Sequence, residues 1–301
     1  CLLRIWRWFS VMPIQQMMLG GSGGSLGYVN WGGDEPVFTI NNSPTTYTVS
    51  DVDGHYGMCT DSWCRYVILF PRIEHGAANY NQHCIWIPIT ETGLDVANRF
   101  YTEIEYYNSF GGLVDTVRGT LYQCKYNTTD FREYDLPSTL TGLAAGNFST
   151  IASGSDTDLG SGSDSSLTLP ASNRNDGGHH DGWNDLYYFA GRLNGTIYRY
   201  DPANSTWTTL TEYSTSDIRY GISKDPSSNY FVSAKRMLGF QLHNGANGQI
   251  IGTYHEGATG IGAATSWDSE DVIIGWTGDA YTFEAGADGS SSCLQRWVRT
   301  G

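Results

Sequence analysis

Short runs of alternating apolar and polar residues, separated by turn-forming residues, occur along most of this chain. The clearest example is residues 185–210, DLYYFAGRLNGTIYRYDPANSTWTTL, where two aromatic runs are separated by a glycine turn and followed by an Asp-Pro-Ala-Asn turn. A period of two is typical of β-strands, and Gly, Asn, Asp and Pro at the breaks are typical of turns. The pattern predicts three strands joined by short turns.

Similar units recur from residue 28 onward. Their central runs lie near Phe38, Trp86, Leu121, Ile197, Gly239 and Ala280. A spacing near 40–50 residues with several short strands per unit predicts a β-propeller, because a single blade has two apolar faces that only neighbouring blades can cover. The fold class predicted is therefore all-β, a propeller of six blades, or seven if the long step between the third and fourth units contains a further blade.

The chain divides into a tail and one large unit. Residues 1–27 form an apolar, basic segment and a Gly/Ser linker, and residues 28–301 hold the predicted propeller, with a long Ser/Thr/Gly-rich loop region around 138–183. An apolar segment on a flexible tether must bury itself on its own domain or on a partner. We expect the tail to mediate assembly into a homo-oligomer or filament through its large apolar residues, namely Leu2, Leu3, Ile5, Trp6, Trp8, Phe9 and Val11.

Two stretches resemble known propeller repeats. The run LYYFAGRLNGTIYRYDPANSTWTTL resembles a kelch repeat, although Arg192 follows Gly191 where that repeat has a second glycine. The run RMLGFQLHNGANGQIIGTY is similar to a blade of the quinoprotein type. The resemblance covers about 110 residues of the C-terminal half. It implies an architecture only, since propellers support binding, catalysis and scaffolding alike.

Composition and charge limit the classes of partner that we expect for this chain. Tyr and Trp are abundant, charged residues make up only 16%, and the net charge is −14. A nucleic-acid-binding protein needs a basic surface, so no nucleic-acid partner is expected. No segment reaches 18 consecutive apolar residues, so no transmembrane segment is expected either.

Cysteines and glycosylation sequons point to secretion. Six cysteines, an even number, are compatible with three disulfides, and a bridge from Cys1 to Cys293 would tie the two chain ends together. The other four candidates are Cys59, Cys64, Cys84 and Cys124. Five asparagines stand in Asn-x-Ser/Thr sequons, namely Asn41, Asn127, Asn147, Asn194 and Asn204. An extracellular glycoprotein is the resulting prediction, and six buried free thiols in a cytosolic protein are the alternative.

Candidate metal ligands are few. His179, His180, Asp181 and Asp185 lie within seven positions and carry groups that suit Zn²⁺ or Cu²⁺, but adjacent side chains of an extended chain point to opposite sides. Asp51 and Asp53, and the run DTDLGSGSD from residue 156, resemble parts of calcium loops. Ordinary turns are favoured over metal sites for all of these, and no cofactor beyond N-linked glycans is expected.

Three functions remain open from the sequence. The first is a secreted structural or interaction subunit that assembles into an extracellular fibre or coat through its N-terminal segment. The second is a carbohydrate-binding, lectin-like propeller. The third is a kelch-type oxidase or a glycoside-active enzyme, although no catalytic set can be assembled from the motifs.

Overall fold

The computed structural model is an all-β propeller. It describes residues 35–39, 45–47, 55–71, 83–105, 109–125, 128–170, 175–191, 195–211, 219–235, 239–254, 268–285 and 293–300. Across these residues the strands form five sheets, each of which is one blade. Within this part of the chain, no helix is long and apolar enough to cross a membrane.

Blades 1 and 2 are linked, because residues 156–158 lie between two blade 2 strands in the chain and pair with blade 1. In blade 1 the order from the axis outward is β3 (His55–Cys59), β4 (Tyr66–Pro71), β5 (His83–Thr90) and β7 (Phe100–Glu103). Two short strands extend it, since β6 (Gly93–Leu94) pairs with β5 and β11 (Asp156–Asp158) pairs in parallel with β7. A 3-10 helix spans Val96–Asn98. Blade 2 contains β8 (Ser109–Asp115), β9 (Thr120–Lys125), β10 (Asp130–Asp135) and β12 (Ser163–Thr168).

Blades 3 and 4 are regular antiparallel meanders of four strands. Blade 3 contains β13 (Asn175–Asp181), β14 (Leu186–Gly191), β15 (Ile197–Asp201) and β16 (Thr206–Thr211). Blade 4 contains β17 (Arg219–Lys224), β18 (Tyr230–Lys235), β19 (Gly239–Asn244) and β20 (Ile250–Tyr254). The three strands expected in residues 185–210 are thus β14, β15 and β16, and that prediction is confirmed.

Blade 5 joins the two ends of the chain. Its inner strands are β21 (Asp268–Ile274), β22 (Ala280–Ala285) and β23 (Cys293–Arg299). The outer strand is supplied by β1 (Phe38–Thr39) and β2 (Thr45–Tyr47), which both pair with β23. The prediction of six blades is therefore wrong: the first and last units of the sequence share one sheet, so the described residues form five blades.

The ring is closed by the innermost strands. β3, β8, β13, β17 and β21 pack in that order, and β21 returns to β3. An apolar core fills each of the five seams between adjacent blades in the described part of the chain. On β4, for example, Val67 and Leu69 pack towards blade 5 while Ile68 and Phe70 pack towards blade 2. The mutual shielding of apolar faces expected from the sequence is confirmed.

The unusually long step in the sequence is an insertion within blade 2. Residues 136–162 leave the blade after β10 and return at β12. On the way they cover blade 1, where Leu140 is buried and Phe148 packs against Tyr66. The region around 138–183 therefore contains three strands, β11, β12 and β13, and no further blade among the described residues.

Candidate functional site

A repeated Gly-x-x-x-Asp spacing builds one face of the propeller. It runs from Gly57 to Asp61 in blade 1 and recurs in blades 2, 3 and 4 at Gly111–Asp115, Gly177–Asp181 and Gly221–Asp225. Each glycine lies at a register irregularity of an innermost strand, and each aspartate is the last residue of that strand or lies one or two residues beyond it. We call the surface formed by the turns between first and second strands the first-hairpin face.

The aspartates fold these turns. Asp61 accepts a hydrogen bond from the backbone amide of Arg65 at 2.6 Å, and Asp181 accepts one from the amide of Trp183 at 3.1 Å. Asp225 accepts one from the amide of Ser227 at 2.9 Å. An aspartate that bonds to amides ahead of it stabilises a tight turn, and all of these carboxylates are buried. The repeat is thus first a structural device.

A network of polar side chains lies beneath this face where blades 1, 2 and 3 meet. Its centre is His180 of β13. Nδ1 of His180 lies 2.7 Å from the hydroxyl of Ser62 and 3.2 Å from Oδ1 of Asp115, and Nε2 lies 3.1 Å from Oδ1 of Asp185. The Ser62 hydroxyl also accepts a hydrogen bond from the backbone amide of Thr116 at 2.8 Å. One imidazole therefore ties three blades together.

Arg118 and Tyr187 complete this network. The Arg118 guanidinium donates to both carboxylate oxygens of Asp185 at 2.6 Å and to Asp115 at 2.9 Å. The Tyr187 hydroxyl donates to Asp115 at 2.6 Å. Burial by itself would raise the pKa of Asp115, but hydrogen bonds from His180, Tyr187 and the Arg118 amide hold that pKa well below its usual value. Asp115 is therefore an ionised, fully bonded carboxylate.

The network contains the residue types of a serine hydrolase but is closed to substrate. Ser62, His180 and Asp115 are each 0% exposed. In a working triad the imidazole holds serine and aspartate on different nitrogens, whereas here Nδ1 faces both Ser62 and Asp115. The arrangement serves to join blades, and the described geometry does not present a nucleophile to solvent.

Next to His180, His179 lies in a separate, buried environment. Its Nδ1 has no hydrogen-bond partner. Burial, reinforced by His180 and Lys224, lowers the pKa of His179 well below its usual value, so this imidazole is neutral. Burial also lowers the pKa of Lys224, whose ammonium donates to the carbonyl oxygens of Asp225, at 3.0 Å, and Ser228.

The metal candidates chosen from the sequence do not form one ligand set. His180 and Asp185 meet, but Arg118 supplies the positive charge beside them. Asp181 bonds to its own turn, and His179 is elsewhere. In the described ranges, the side chains whose ligand atoms all lie within 4.8 Å of one another are instead those of His83, Glu103 and Asp156. Asp51 and Asp53 lie outside the described residues.

A cavity with a volume of about 630 Å³ lies on the first-hairpin face of blade 1, among the described residues. Its floor is aromatic and apolar, and its rim is polar. The floor includes Tyr66, Ile89, Phe100, Phe148 and Trp276, and the rim includes Thr90, Glu91, Thr92, Asp95, Asn98, Ser149 and Ser153. The volume is in the usual range for small-molecule sites.

Three parts of the chain build this pocket, which we call the blade-1 pocket. The hairpin around β6 forms one wall, the insertion from blade 2 forms another, and Trp276 of blade 5 closes the side. Trp276 is fixed by a 2.7 Å hydrogen bond from its Nε1 to the carbonyl of Ile89. The hydroxyl of Tyr66 accepts the amide of Ser149 at 2.7 Å, and burial raises the pKa of Tyr66 to about 12.

The charged side chains that line the blade-1 pocket are carboxylates. Among the described residues, its lining contains the carboxylates of Glu91 and Asp95 and no lysine, arginine or histidine, and Arg296 donates to the backbone carbonyls of Glu91 and Thr92 at its rim. Asp95 accepts a hydrogen bond from the side-chain amide of Asn98 at 2.7 Å, which orients both groups at the rim. Such a site accepts hydroxyl or amino donors and disfavours anions.

The described cysteines do not support the disulfide framework. Cys59, Cys64, Cys84 and Cys124 are buried, and none of these four forms a disulfide. Cys59 and Cys64, at the two ends of the turn between β3 and β4, each pack in a different inter-blade core. Burial raises the pKa of Cys84, Cys59 and Cys64, so these thiols are protonated and inert. Cys1 and the side chain of Cys293 lie outside the described residues.

Of the predicted glycosylation sites and the predicted assembly segment, only some residues belong to the part of the chain that the structure describes. Asn147 and Asn204 are exposed, and the Asn204 side chain donates to Asp201 at 2.8 Å. Asn41, Asn127 and Asn194 and the whole apolar tail lie outside the described residues. The sequons and the assembly segment therefore stay predictions.

Sequence reasoning missed the blade-1 pocket, the Gly-x-x-x-Asp repeat and the group of His83, Glu103 and Asp156. The repeat was visible, because four glycine–aspartate pairs at the same spacing precede an aromatic or aliphatic strand. The pocket was not visible, because its walls come from segments about 60 and 185 residues away from its main hairpin.

Comparisons with known proteins give a fold-level likeness. No protein-family profile and no curated protein match this chain. Among solved structures, Kuenenia stuttgartiensis hydrazine synthase is similar at 11% identity and a TM-score of 0.37, over 80% of this chain and 58% of that one. The WD40 domain of Toxoplasma gondii coronin is similar at 9% identity and a TM-score of 0.35, over 89% and 67%.

A third similar structure is the β-propeller domain of Myceliophteria thermophila Cps50 (Swd1), at 8% identity and a TM-score of 0.39, over 81% of this chain and 65% of that one. The chain thus spans 58–67% of the length of the chains it matches. At these values the similarity says nothing about function. The sheets and their closure identify this chain as a β-propeller.

Proposed function

We propose that this chain is an interaction propeller that binds a neutral saccharide in the blade-1 pocket. The observation that carries the proposal is the composition of that pocket, an aromatic floor beneath a rim of carboxylates, amide and hydroxyl groups. The apolar face of a sugar ring packs on aromatic side chains, while its hydroxyl groups donate to carboxylate and amide oxygens. The pocket offers groups for both kinds of contact, with Phe148 as the part-exposed ring of its floor and carboxylate, amide and hydroxyl groups at its rim.

The charge of the pocket sets the expected specificity. Glu91 and Asp95 repel carboxylated or sulfated sugars, and the net charge of −14 acts in the same direction. We therefore expect neutral oligosaccharides to bind and sialylated, uronic or sulfated ones to be rejected. A basic peptide would also suit the charge, but hydroxyl groups at Thr90, Ser149 and Ser153 favour a polyhydroxylated ligand.

The test is a glycan array followed by calorimetry on the best neutral ligand. Asp95→Asn and Glu91→Gln each remove one charged acceptor, and a hydrogen bond to a charged group contributes about 1.5–3 kcal/mol, or roughly 10–150-fold in Kd. Asp135→Asn is the matched control, because Asp135 is an exposed carboxylate on β10 away from the pocket. Failure of every neutral glycan to bind, or equal binding by all three variants, would refute the proposal.

A second candidate function is self-assembly through residues 1–19, which is compatible with saccharide binding. It is favoured by the way the chain enters the propeller. The outer strand of blade 5 is supplied by β1 and β2, which both pair with β23. An outer strand presents a sheet edge to which another strand can add. The apolar residues of the tail precede β1 in the sequence.

Deletion of residues 1–19 tests this second candidate. We expect the full chain to sediment as oligomers or filaments and the shortened chain to sediment as a folded monomer. Equal assembly by both forms would contradict it. Secretion with glycans at Asn147 and Asn204 is part of the same proposal, and a mass decrease after enzymatic removal of N-glycans from the native protein would support it.

A further inference from the structure

Three side chains with metal-binding groups converge at the outer rim of blade 1. They are His83 on β5, Glu103 on β7 and Asp156 on β11, and one ligand atom from each lies within 4.8 Å of the other two. His83 Nδ1 and Asp156 Oδ2 are only 2.9 Å apart. The group lies at the opposite ends of β5 and β7 from the blade-1 pocket, so it is a separate site.

The sheet itself positions these groups. His83 and Glu103 are directly opposed in the antiparallel pair β5–β7, and Asp156 is opposed to Tyr101 in the parallel pair β11–β7. Directly opposed residues carry their side chains on the same face of a sheet. The ring of Tyr101 contacts the ring of His83 edge to face, at 6.1 Å between centroids, and so restricts the orientation of the imidazole.

The chemistry of the group indicates a transition-metal cation of the zinc type. One imidazole and two carboxylates, with side chains 29% exposed for His83 and 41% for Asp156, leave room for a water ligand. Mg²⁺ and Ca²⁺ prefer oxygen ligands alone, whereas imidazole suits Zn²⁺. Ligand atoms at zinc distances lie roughly 3.3–3.6 Å apart, so small side-chain rotations suffice to close the group.

We propose that His83, Glu103 and Asp156 form a Zn²⁺ site that fastens the insertion of blade 2 to blade 1. Asp156 belongs to residues 136–162, which leave blade 2 and add β11 to the edge of blade 1. A bound ion would bridge that strand to both outer strands of the neighbouring blade. The inference does not depend on the saccharide proposal, because the two sites share no residue.

The first experiment is calorimetric titration of the full chain with ZnCl₂ after treatment with a chelator and dialysis. We expect one Zn²⁺ per chain at the site, and at least a tenfold weaker Kd for His83→Gln and for Glu103→Gln, because even the loss of a residue that only orients a ligand costs about 10–100-fold. The matched control is Glu105→Gln, an exposed carboxylate two residues beyond Glu103. It should bind as the parent does.

A second measurement separates loss of the site from loss of the fold. Limited proteolysis of residues 136–162 should slow when Zn²⁺ is added to the parent and to Glu105→Gln, and should be unaffected by Zn²⁺ in His83→Gln. Circular dichroism of all variants checks that the propeller remains folded. Zn²⁺ binding that survives both His83→Gln and Glu103→Gln, or no binding by the folded parent, would overturn the proposal.

Discussion

The carboxylate of Asp271 accepts a hydrogen bond from the backbone amide of Met58 at 2.7 Å, joining the innermost strands of the last and first blades. Asp271 occupies the position in β21 that corresponds to the glycines of the Gly-x-x-x-Asp repeat in the other innermost strands. A side chain added at Gly221 would place its Cβ only 1.0 Å from Oδ1 of Asp271. One carboxylate therefore fills the centre of the ring, and the neighbouring glycines make room for it.

This arrangement predicts strong coupling between Gly221 and Asp271. Gly221→Ala should lower the free energy of unfolding by about 1–3 kcal/mol, because the methyl group overlaps the carboxylate. In an Asp271→Gly background the same substitution should cost less by about 0.5–3 kcal/mol, since the overlap is gone. Urea unfolding of the four proteins in this double-mutant cycle measures the coupling. Strictly additive effects would contradict the account of the ring centre.

The network around His180 predicts a loss of stability in acid. The pKa of Asp115 is held below its usual value, so the folded protein binds a proton there more weakly than the unfolded chain does. Its contribution is fully present above the unfolded value of about 4 and is lost as the pH falls below it. Urea unfolding between pH 3 and 7 should show a decline below about pH 4.

The pH effect has a matched control. Asp115→Asn should make that decline shallower, whereas Asp135→Asn, at an exposed position on β10, should keep the parent slope. A parent slope in Asp115→Asn would show that other carboxylates govern acid stability.

A buried ion pair and a surface ion pair should differ sharply in their contribution. Arg299 of β23 reaches Asp225 of blade 4 at 2.8 Å, and both side chains are 0% exposed. Arg299→Met should cost about 3–5 kcal/mol, because it leaves a buried carboxylate without its cation. Arg132→Met removes one of the two cations beside Asp164, whose side chain is 74% exposed and also binds Lys125, and should cost far less. Equal losses in urea unfolding would contradict this distinction.

Ring closure by the N-terminal strands predicts two outcomes from deletion. Removal of residues 1–34 keeps β1 and β2 and should preserve the thermal unfolding midpoint. Removal of residues 1–47 deletes both strands, including Phe38, which is 4% exposed and contacts Phe240 and Tyr254. Burial of such an aromatic contributes about 3–5 kcal/mol, so the midpoint should fall clearly. Identical midpoints would show that the closing strands are dispensable.

The sequence alone determined the strands and the type of architecture. Alternating aromatic runs with Asn, Asp and Gly at the breaks specify strands and turns locally, which is why β14, β15 and β16 were predictable from residues 185–210. The recurrence of such units indicated a propeller, because one blade cannot cover both of its apolar faces. These properties depend on neighbours in the chain.

Only the tertiary structure decided the number of blades and the location of the sites. β1 and β23 are separated by more than 250 residues and still share one sheet, so counting units along the chain gave one blade too many. The blade-1 pocket and the group of His83, Glu103 and Asp156 likewise depend on where the insertion of blade 2 packs. Pairing between distant strands is set by the packing of the whole ring, and no local pattern of residues encodes it.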